Sequence, residues 1–448
     1  MIALLIATAA ADPVLDALRV APHTAVLENG LTVVVAPDLW SPVVASALLY
    51  RAGAAEDPPG ASGTAHLLEH LMFEGSANAP DGGYDTLLAA VGGTNNAWTD
   101  HDWTAYTATV PPGALGLLLF LESDRMAWLG QGLQPDDVAN QQDVVKTERL
   151  GDESDDHAWA TYGLSASLWP SDHPYHRPVL GTLDDLASAN TQRLLTWHQT
   201  WYRPSNAVLV LVGNLDPEAT LDAAQRAFAD VPVGSLTPAR ASAELVPLAG
   251  EQRRILTEDM SRERLYLAWR TVPHGHPDEP ALDVLASILS GGRGTPLDDA
   301  LYYRSDLATD MGTWTHNGRL GGEFVVYTVS DDQDLEDLAA VIDAELTRVR
   351  QTPVDDEAIA RVVAGWRSAF VREIEDRAAL AGHLADCVVT AGSAGCRADE
   401  LARYLAVTPA DVQRVAQTWL GPDRVVLSVV SPGEEDRAVP GSTAVVPP

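Results

Sequence analysis

Residues 24–36, TAVLENGLTVVVA, alternate apolar and polar positions around Asn29-Gly30, and that pattern predicts a β-hairpin. Val43 to Arg51 reads as a further strand. From Ser62 to Phe73 the apolar positions recur at helical spacing, with Ser62 or Thr64 as the candidate N-cap. After Gly92-Gly93 the period returns to two, in NNAWT and then WTAYTATV, which stops at Pro111-Pro112. Long helical patterns cover Gly113 to Leu129 and Pro135 to Glu153, and a helix over Thr191 to Trp201 leads into the buried strand NAVLVLVGN. Antiparallel hairpins interleaved with helices define an α+β class.

Residues 233–250, VGSLTPARASAELVPLAG, are rich in Pro, Ala, Gly and Ser and read as a linker. The chain beyond this linker repeats the chain before it. ASALLYRAG matches LYLAWRTV when Arg51 is set on Arg270, an offset of 219, and QTWYRPSNAVLVLV matches QTWLGPDRVVLSVV when Trp201 is set on Trp419, an offset of 218. Two distant anchors sharing nearly one offset imply a duplicated α+β domain.

Composition narrows the function classes. The 448 residues carry 29 basic and 63 acidic side chains, a net charge of −34, and 46% of the residues are apolar. That apolar share supports two or three folded domains and excludes wholesale disorder. The negative field repels nucleic-acid backbones and anionic lipid, favours cationic partners, and also serves solubility alone. The N-terminus, MIALLIATAAADP, has A-x-A spacing like the end of a secretory signal, though without a basic leader, and favours an extracytoplasmic location. The strongest later apolar run, Leu115 to Leu121, falls short of the ~18 residues of a membrane span. The two cysteines, Cys387 and Cys396, fit either one loop-closing disulfide or two buried thiols.

The candidate chemistry lies in the first helix, at His66-Leu67-Leu68-Glu69-His70. Four positions apart, the two imidazoles share a helix face and can reach one cation, with Glu69 on the same side. This H-x-x-E-H order is the inverzincin signature. A hydrolytic zinc site wants a third protein ligand. Glu148, in NQQDVVKTERLGDE, is the best candidate, but Asp143, Asp152 and Glu153 crowd the same segment and spacing does not choose among them.

The phrases GTAHLLEHLMFEGS, GGTNNAWTDHDWTAY, NQQDVVKTERL, HPYHRPVLGT and WYRPSNAVLVLVGN, in this order, resemble the pitrilysin and mitochondrial-processing-peptidase family of zinc metallopeptidases, especially its bacterial half-length members. The resemblance implies one zinc ion bound by His66, His70 and Glu148, with Glu69 as the base that activates water for peptide hydrolysis. The acid that the family often carries seven residues before the third ligand is Gln141 here, which puts a role for an acid there in doubt. Asn96, Ala97 and Thr99 fall on the strand that lines the cleft in relatives and pairs with extended substrate. Phe73 resembles a pocket-lining residue, although its helical spacing equally suits a core position.

Under the 218 offset, His66, Glu69 and His70 fall on Val284, Ser287 and Ile288, so the second repeat carries no metal site. In the family, that repeat supplies an Arg and a Tyr to the substrate. Arg304 takes the Arg place, but the Tyr place falls near Thr309. The resemblance thus implies a clamshell of two duplicated α/β-sandwich domains around a cavity, cleaving short or unfolded peptides, and a negative interior would favour basic ones. It implies residues 1–20 as a signal-like segment, 21–232 as the catalytic zinc-binding domain, 233–250 as linker, 251–435 as the degenerate substrate-contacting repeat and 436–448 as tail. The missing Tyr implies a same-fold partner subunit, in a heterodimer rather than a homodimer, and the leader-like segment implies the bacterial periplasm. The competing reading is a non-catalytic family member that serves assembly, a role in which the motif is usually lost. His101, His157, His173 and His176 have no ligand spacing to the motif and read as structural.

Overall fold

The computed structural model describes residues 22–79, 82–153, 155–233, 239–331 and 333–448. The leader-like residues 1–20 and the linker positions 234–238 lie outside the described residues.

Two six-stranded mixed sheets carry the fold. The first is built from β1 (His23–Val26), β2 (Thr32–Pro37), β3 (Val44–Tyr50), β4 (Thr94–Thr99), β5 (Thr104–Val110) and β6 (Ala207–Gly213), in the order β1-β2-β6-β3-β5-β4. The second is built from β7 (Gln252–Thr257), β8 (Glu263–Thr271), β9 (Asp310–Gly318), β10 (Gly321–Ser330), β11 (Val425–Val430) and β12 (Thr443–Ala444), in the order β12-β7-β11-β8-β10-β9. Five of the six positions correspond one to one, so the duplication read from two matching phrases extends over five strands of each sheet. The sixth differs: the N-terminal β1 runs antiparallel to β2, whereas the C-terminal β12 runs parallel to β7. The Asn29-Gly30 hairpin forms as expected, with Val26 opposite Thr32.

The central strands β3, β6 and β11 are buried at every position, which demands cover on both faces of each sheet. One face of the first sheet, with Val33, Val35, Leu48 and Leu209, packs on helices of its own half. Its other face, with Val34, Ala45, Ala47 and Val210, packs on Ala381, Leu384, Ala385 and Val388 of helix Arg377–Ala391, from the second half. The second sheet reciprocates. Tyr266, Ala268, Val425 and Leu427 are covered by Ala160, Leu164 and Leu168 of helix Asp156–Leu168, from the first half. The halves therefore exchange one helix each. Helix Arg377–Ala391 is tied to the next helix, Cys396–Leu405, by a Cys387–Cys396 disulfide, which selects the first of the two cysteine readings.

A buried charge cluster joins the halves. Glu56 and Asp102 of the first half face Arg240 and, from the β9–β10 turn, Arg319, with Glu56 3.2 Å from both guanidinium groups. Asp102 Oδ2 accepts the Tyr175 hydroxyl at 2.5 Å and the Arg319 backbone N–H at 2.8 Å. Asp102 Oδ1 lies 3.2 Å from Arg319 Nε, an ion pair without hydrogen-bond alignment. Removing a buried partner strands the opposite charge, whereas exposed pairs contribute little. Asp102→Ala should therefore lower unfolding free energy by about 3 kcal/mol in a urea titration. Asp331→Ala, which breaks the exposed Arg262–Asp331 pair, should cost less than about 0.5 kcal/mol.

Candidate metal centre

The motif occupies a short helix, α1 (Thr64–Leu71), whose Ala65, Leu67, Leu68 and Leu71 are fully buried in the first core. Each leucine contributes roughly 1.5–3 kcal/mol of burial, enough to seat two turns that would not persist alone. Neither expected N-cap operates. The Ser62 hydroxyl donates to Asp185 at 2.6 Å and the Thr64 hydroxyl to the Ala61 carbonyl at 2.5 Å. The cap position is Gly63, at φ +82°, where a Cβ would come within 2.5 Å of the Leu180 carbonyl oxygen. The Asp57 carboxylate instead accepts the backbone N–H groups of Gly63, Thr64 and Ala65 at 2.8, 3.1 and 3.0 Å. An acceptor at that end also complements the positive pole of the helix.

Set on that helix, His66 and His70 stand with ring centroids 4.8 Å apart. Their Nε2 atoms lie 3.9 and 3.5 Å from Glu148 Oε2, which is delivered by α2 (Pro135–Glu153). One ligand atom from each of the three falls within 4.8 Å of the others, the group of this kind found among the described residues. Of the rival acids, Asp143 pairs with Lys146 at 3.3 Å and Asp152 accepts the Tyr162 hydroxyl at 2.6 Å. The structure therefore gathers Glu148 with the two histidines, a choice that spacing left open.

The donor set suits zinc. Zinc bonds of 2.0–2.2 Å in a tetrahedron need donors about 3.3 Å apart, so small side-chain rotations would close the triad on an ion. Burial, and then the neighbouring His70, push the His66 imidazole down to about 3, which leaves it neutral with a lone pair to offer. Its Nδ1 is buried without a hydrogen-bond partner. His70 is held differently, its Nδ1 3.1 Å from Gln141 Oε1, while Gln141 Nε2 donates to Glu74.

Glu69, almost wholly buried, accepts the Thr99 hydroxyl on Oε2 at 2.5 Å. Burial raises its pKa, opposed by that hydrogen bond and by His70. Thr99 thus bears on Glu69 directly, a contact that strand patterning alone does not reveal. It ends β4, the edge strand of the first sheet, on which Asn96 is exposed and Ala97 half-buried against the core. Phe73 packs edge-on against Tyr84, and the buried Arg125 guanidinium lies 5.1 Å from its ring, so it belongs to the wall of the core.

Arg304 is not brought to the motif by any described hydrogen bond or ion pair. Its side chain is 77% exposed and its Nη2 is bonded to Asp299 at 2.6 Å. Thr309, at the expected Tyr place, receives a weak bond from Arg262 at 3.4 Å. In the second half, Val284 and Ile288 are buried apolar residues of helix Glu279–Leu289, so the counterpart of α1 offers no imidazole. The remaining histidines have structural contacts: His101 with the Arg177 carbonyl, His157 with Tyr266, His173 stacked on Trp169, and His176 with the Trp169 carbonyl. Asp57 and Glu74 were missed by sequence reasoning. Asp57 caps across a six-residue gap, and the Glu74–Gln141 contact spans 67 positions.

Two half-domain families cover this architecture. Residues 32–182 match the family "Insulinase (Peptidase family M16)" and residues 188–365 match "Peptidase M16 inactive domain". The chain belongs to peptidase family M16. Among curated proteins it is similar to an uncharacterized zinc protease of Streptomyces coelicolor, 27% identical over 392 residues, covering 86% of this chain and 84% of that protein. It is also similar to the zinc protease PqqE of Helicobacter pylori, 26% identical with 88% and 89% covered. A probable mitochondrial-processing peptidase subunit beta of Arabidopsis thaliana is 23% identical, with 92% and 79% covered. Among solved structures, a protease from Helicobacter pylori superposes with a TM-score of 0.84 at 23% identity, covering 91% of this chain and 99% of the other. A peptidase M16 inactive domain from Pseudomonas fluorescens gives 0.83 at 18% identity, with 92% and 98% covered. These two likenesses concern the fold alone.

The Asp57 cap can be weighed by mutation. Asp57→Ala removes the acceptor for three buried N–H groups and should lower stability by about 2 kcal/mol in thermal or urea unfolding. Ser62→Ala, at the position first expected to cap, should cost less than half as much.

Proposed function

We propose that this chain is the metal-bearing subunit of a zinc endopeptidase that hydrolyses short or unfolded peptides. The observation that carries the reading is the meeting of His66, His70 and Glu148 from two separate helices, with Glu69 beside them. Relatives named zinc proteases support the choice of metal. Zinc bound there supplies Lewis acidity, making water acidic and a peptide carbonyl electrophilic. His66 and His70 contribute neutral imidazoles and Glu148 a carboxylate. Glu69, with Oε2 held by Thr99, takes the proton of the attacking water and delivers it to the leaving amine. The free edge of β4 accepts an extended peptide as an added strand, with Asn96, Ala97 and Thr99 beside it and Phe73 behind. In this reading residues 21–232 form the metal unit, 233–250 the linker and 251–435 the degenerate unit.

In this reading the two repeats enclose a chamber that excludes folded proteins, and the net charge of −34 favours basic peptides. No helix among the described residues is long and apolar enough to cross a membrane. The Cys387–Cys396 disulfide supports an oxidising, extracytoplasmic compartment such as the bacterial periplasm. Arg304, turned to solvent and tied to Asp299, supports completion of the site by a same-fold partner that supplies an Arg and a Tyr.

Glu69→Gln should retain one zinc per chain by metal analysis and lower turnover of a fluorogenic peptide by roughly 10²–10⁴-fold. Loss of zinc in that variant would overturn the division of roles. Adding a same-fold partner chain that carries the Arg and Tyr should raise peptidase activity sharply, whereas full activity from the lone chain would refute the heterodimer.

A further inference from the structure

We propose that Gln141 and Glu74 act as a positioning pair that locks His70 in one tautomer and so aims its Nε2 lone pair at the metal position. The pair's role rests on the metal centre proposed for His66, His70 and Glu148, and it is set by donors and acceptors. A carboxamide has two ends of nearly equal size, one that accepts hydrogen bonds and one that donates them. An ionised carboxylate can only accept. Glu74 therefore selects the NH2 end of Gln141, and Gln141 Nε2 donates to it. The carbonyl end, Oε1, is then left 3.1 Å from His70 Nδ1. A carbonyl oxygen cannot donate, so Nδ1 carries the proton. A neutral imidazole holds one N–H, which leaves Nε2 bare and directed toward Glu148 Oε2, 3.5 Å away.

Backbone hydrogen bonds fix Glu74 itself. It lies three residues past α1, its N–H donates to the Leu71 carbonyl at 3.2 Å, and its own carbonyl accepts the Gly82 N–H at 2.7 Å. His66 has no such device, since its Nδ1 is buried without a partner. The two imidazoles of the triad are thus unequal: the pair orients His70, and helix packing alone orients His66. Gln141 acts on the metal through His70, and Glu74 acts through Gln141. Both are positioning residues.

The test has two arms. The first measures zinc affinity of the metal-free chain by competition with a chromophoric chelator, after circular dichroism has confirmed an unchanged fold. Gln141→Leu should weaken zinc binding about 10- to 100-fold. Gln141→Glu, which again presents an oxygen acceptor, should restore most of the loss. Glu74→Gln should weaken binding on its own yet add nothing in the Gln141→Leu background, because its influence passes through the amide. Independent, multiplying effects of the two substitutions would overturn the pair, as would zinc affinity in Gln141→Leu within twofold of the parent. The second arm needs no metal. Histidine-selective ¹⁵N NMR of the zinc-free chain should show His70 protonated at Nδ1, and the Gln141→Leu spectrum should lose that preference. An Nε2-protonated His70 in the parent would refute the proposal. Failure of the parent chain to bind zinc, with His70 still Nδ1-protonated, would instead refute the metal centre and leave the positioning pair standing.

Discussion

Ligand-type atoms of His66, His70 and Glu148, carried on two helices, are brought close to one point, and the first half of the chain is arranged around that demand. Burial meets part of it. By taking His66 out of water, the core makes its protonated form costly, so the nitrogen is free to bind a cation near neutral pH. The same burial leaves His66 Nδ1 without a partner, a penalty of the kind that folded proteins retain where function requires it. The leucine face of α1 and the Asp57 carboxylate offset that penalty locally: one anchors the helix against the sheet, and the other satisfies the three amides at its start.

That anchoring extends into the other half of the molecule. The sheet beneath α1 is buried on both faces, and helix Arg377–Ala391 supplies the far cover. The half that carries the histidine motif therefore does not own its complete core. Each half lends the helix that comes after the long α2-like helix of its repeat, Asp156–Leu168 in one and Arg377–Ala391 in the other. Duplication followed by exchange explains why the two sheets share strand order while their surroundings are not independent. The disulfide fastens the borrowed helix to its own half, so it bears indirectly on the first sheet.

Much of this was legible in the chain. Period-two and helical patterns located the central strands and the helices at Thr191–Trp201 and Pro135–Glu153, because those segments are long and strongly patterned. The repeat offset was visible because two strand-adjacent phrases survived in both copies. Patterning reports that a strand is buried, not by what, so the helix exchange was invisible. Capping was misassigned because side chains beside a helix start are the usual acceptors of a cap, whereas here the acceptor arrives from a preceding turn at Asp57. Glu148 needed three dimensions, since Asp143 and Asp152 differ from it only in which way α2 turns them.

Gln141 shows most clearly where sequence reasoning stops. Taken alone, an amide at the place where the family resemblance implies an acid reads as a loss. In the folded chain a carboxylate still stands behind the imidazole, displaced by one side chain: Glu74 faces the amide and the amide faces His70. Orientation survives this displacement better than charge does, because a hydrogen bond carries direction through the neutral carboxamide while the negative charge sits farther from the ring. The second half makes the opposite choice at the positions equivalent to the histidines. Val284 and Ile288 turn the same helix face into core, which removes any donor and tightens the packing that the first half relinquishes at His66. One repeat thus turns this helix face toward a His-His-Glu cluster and the other turns it into core, and the helices they exchange join the two.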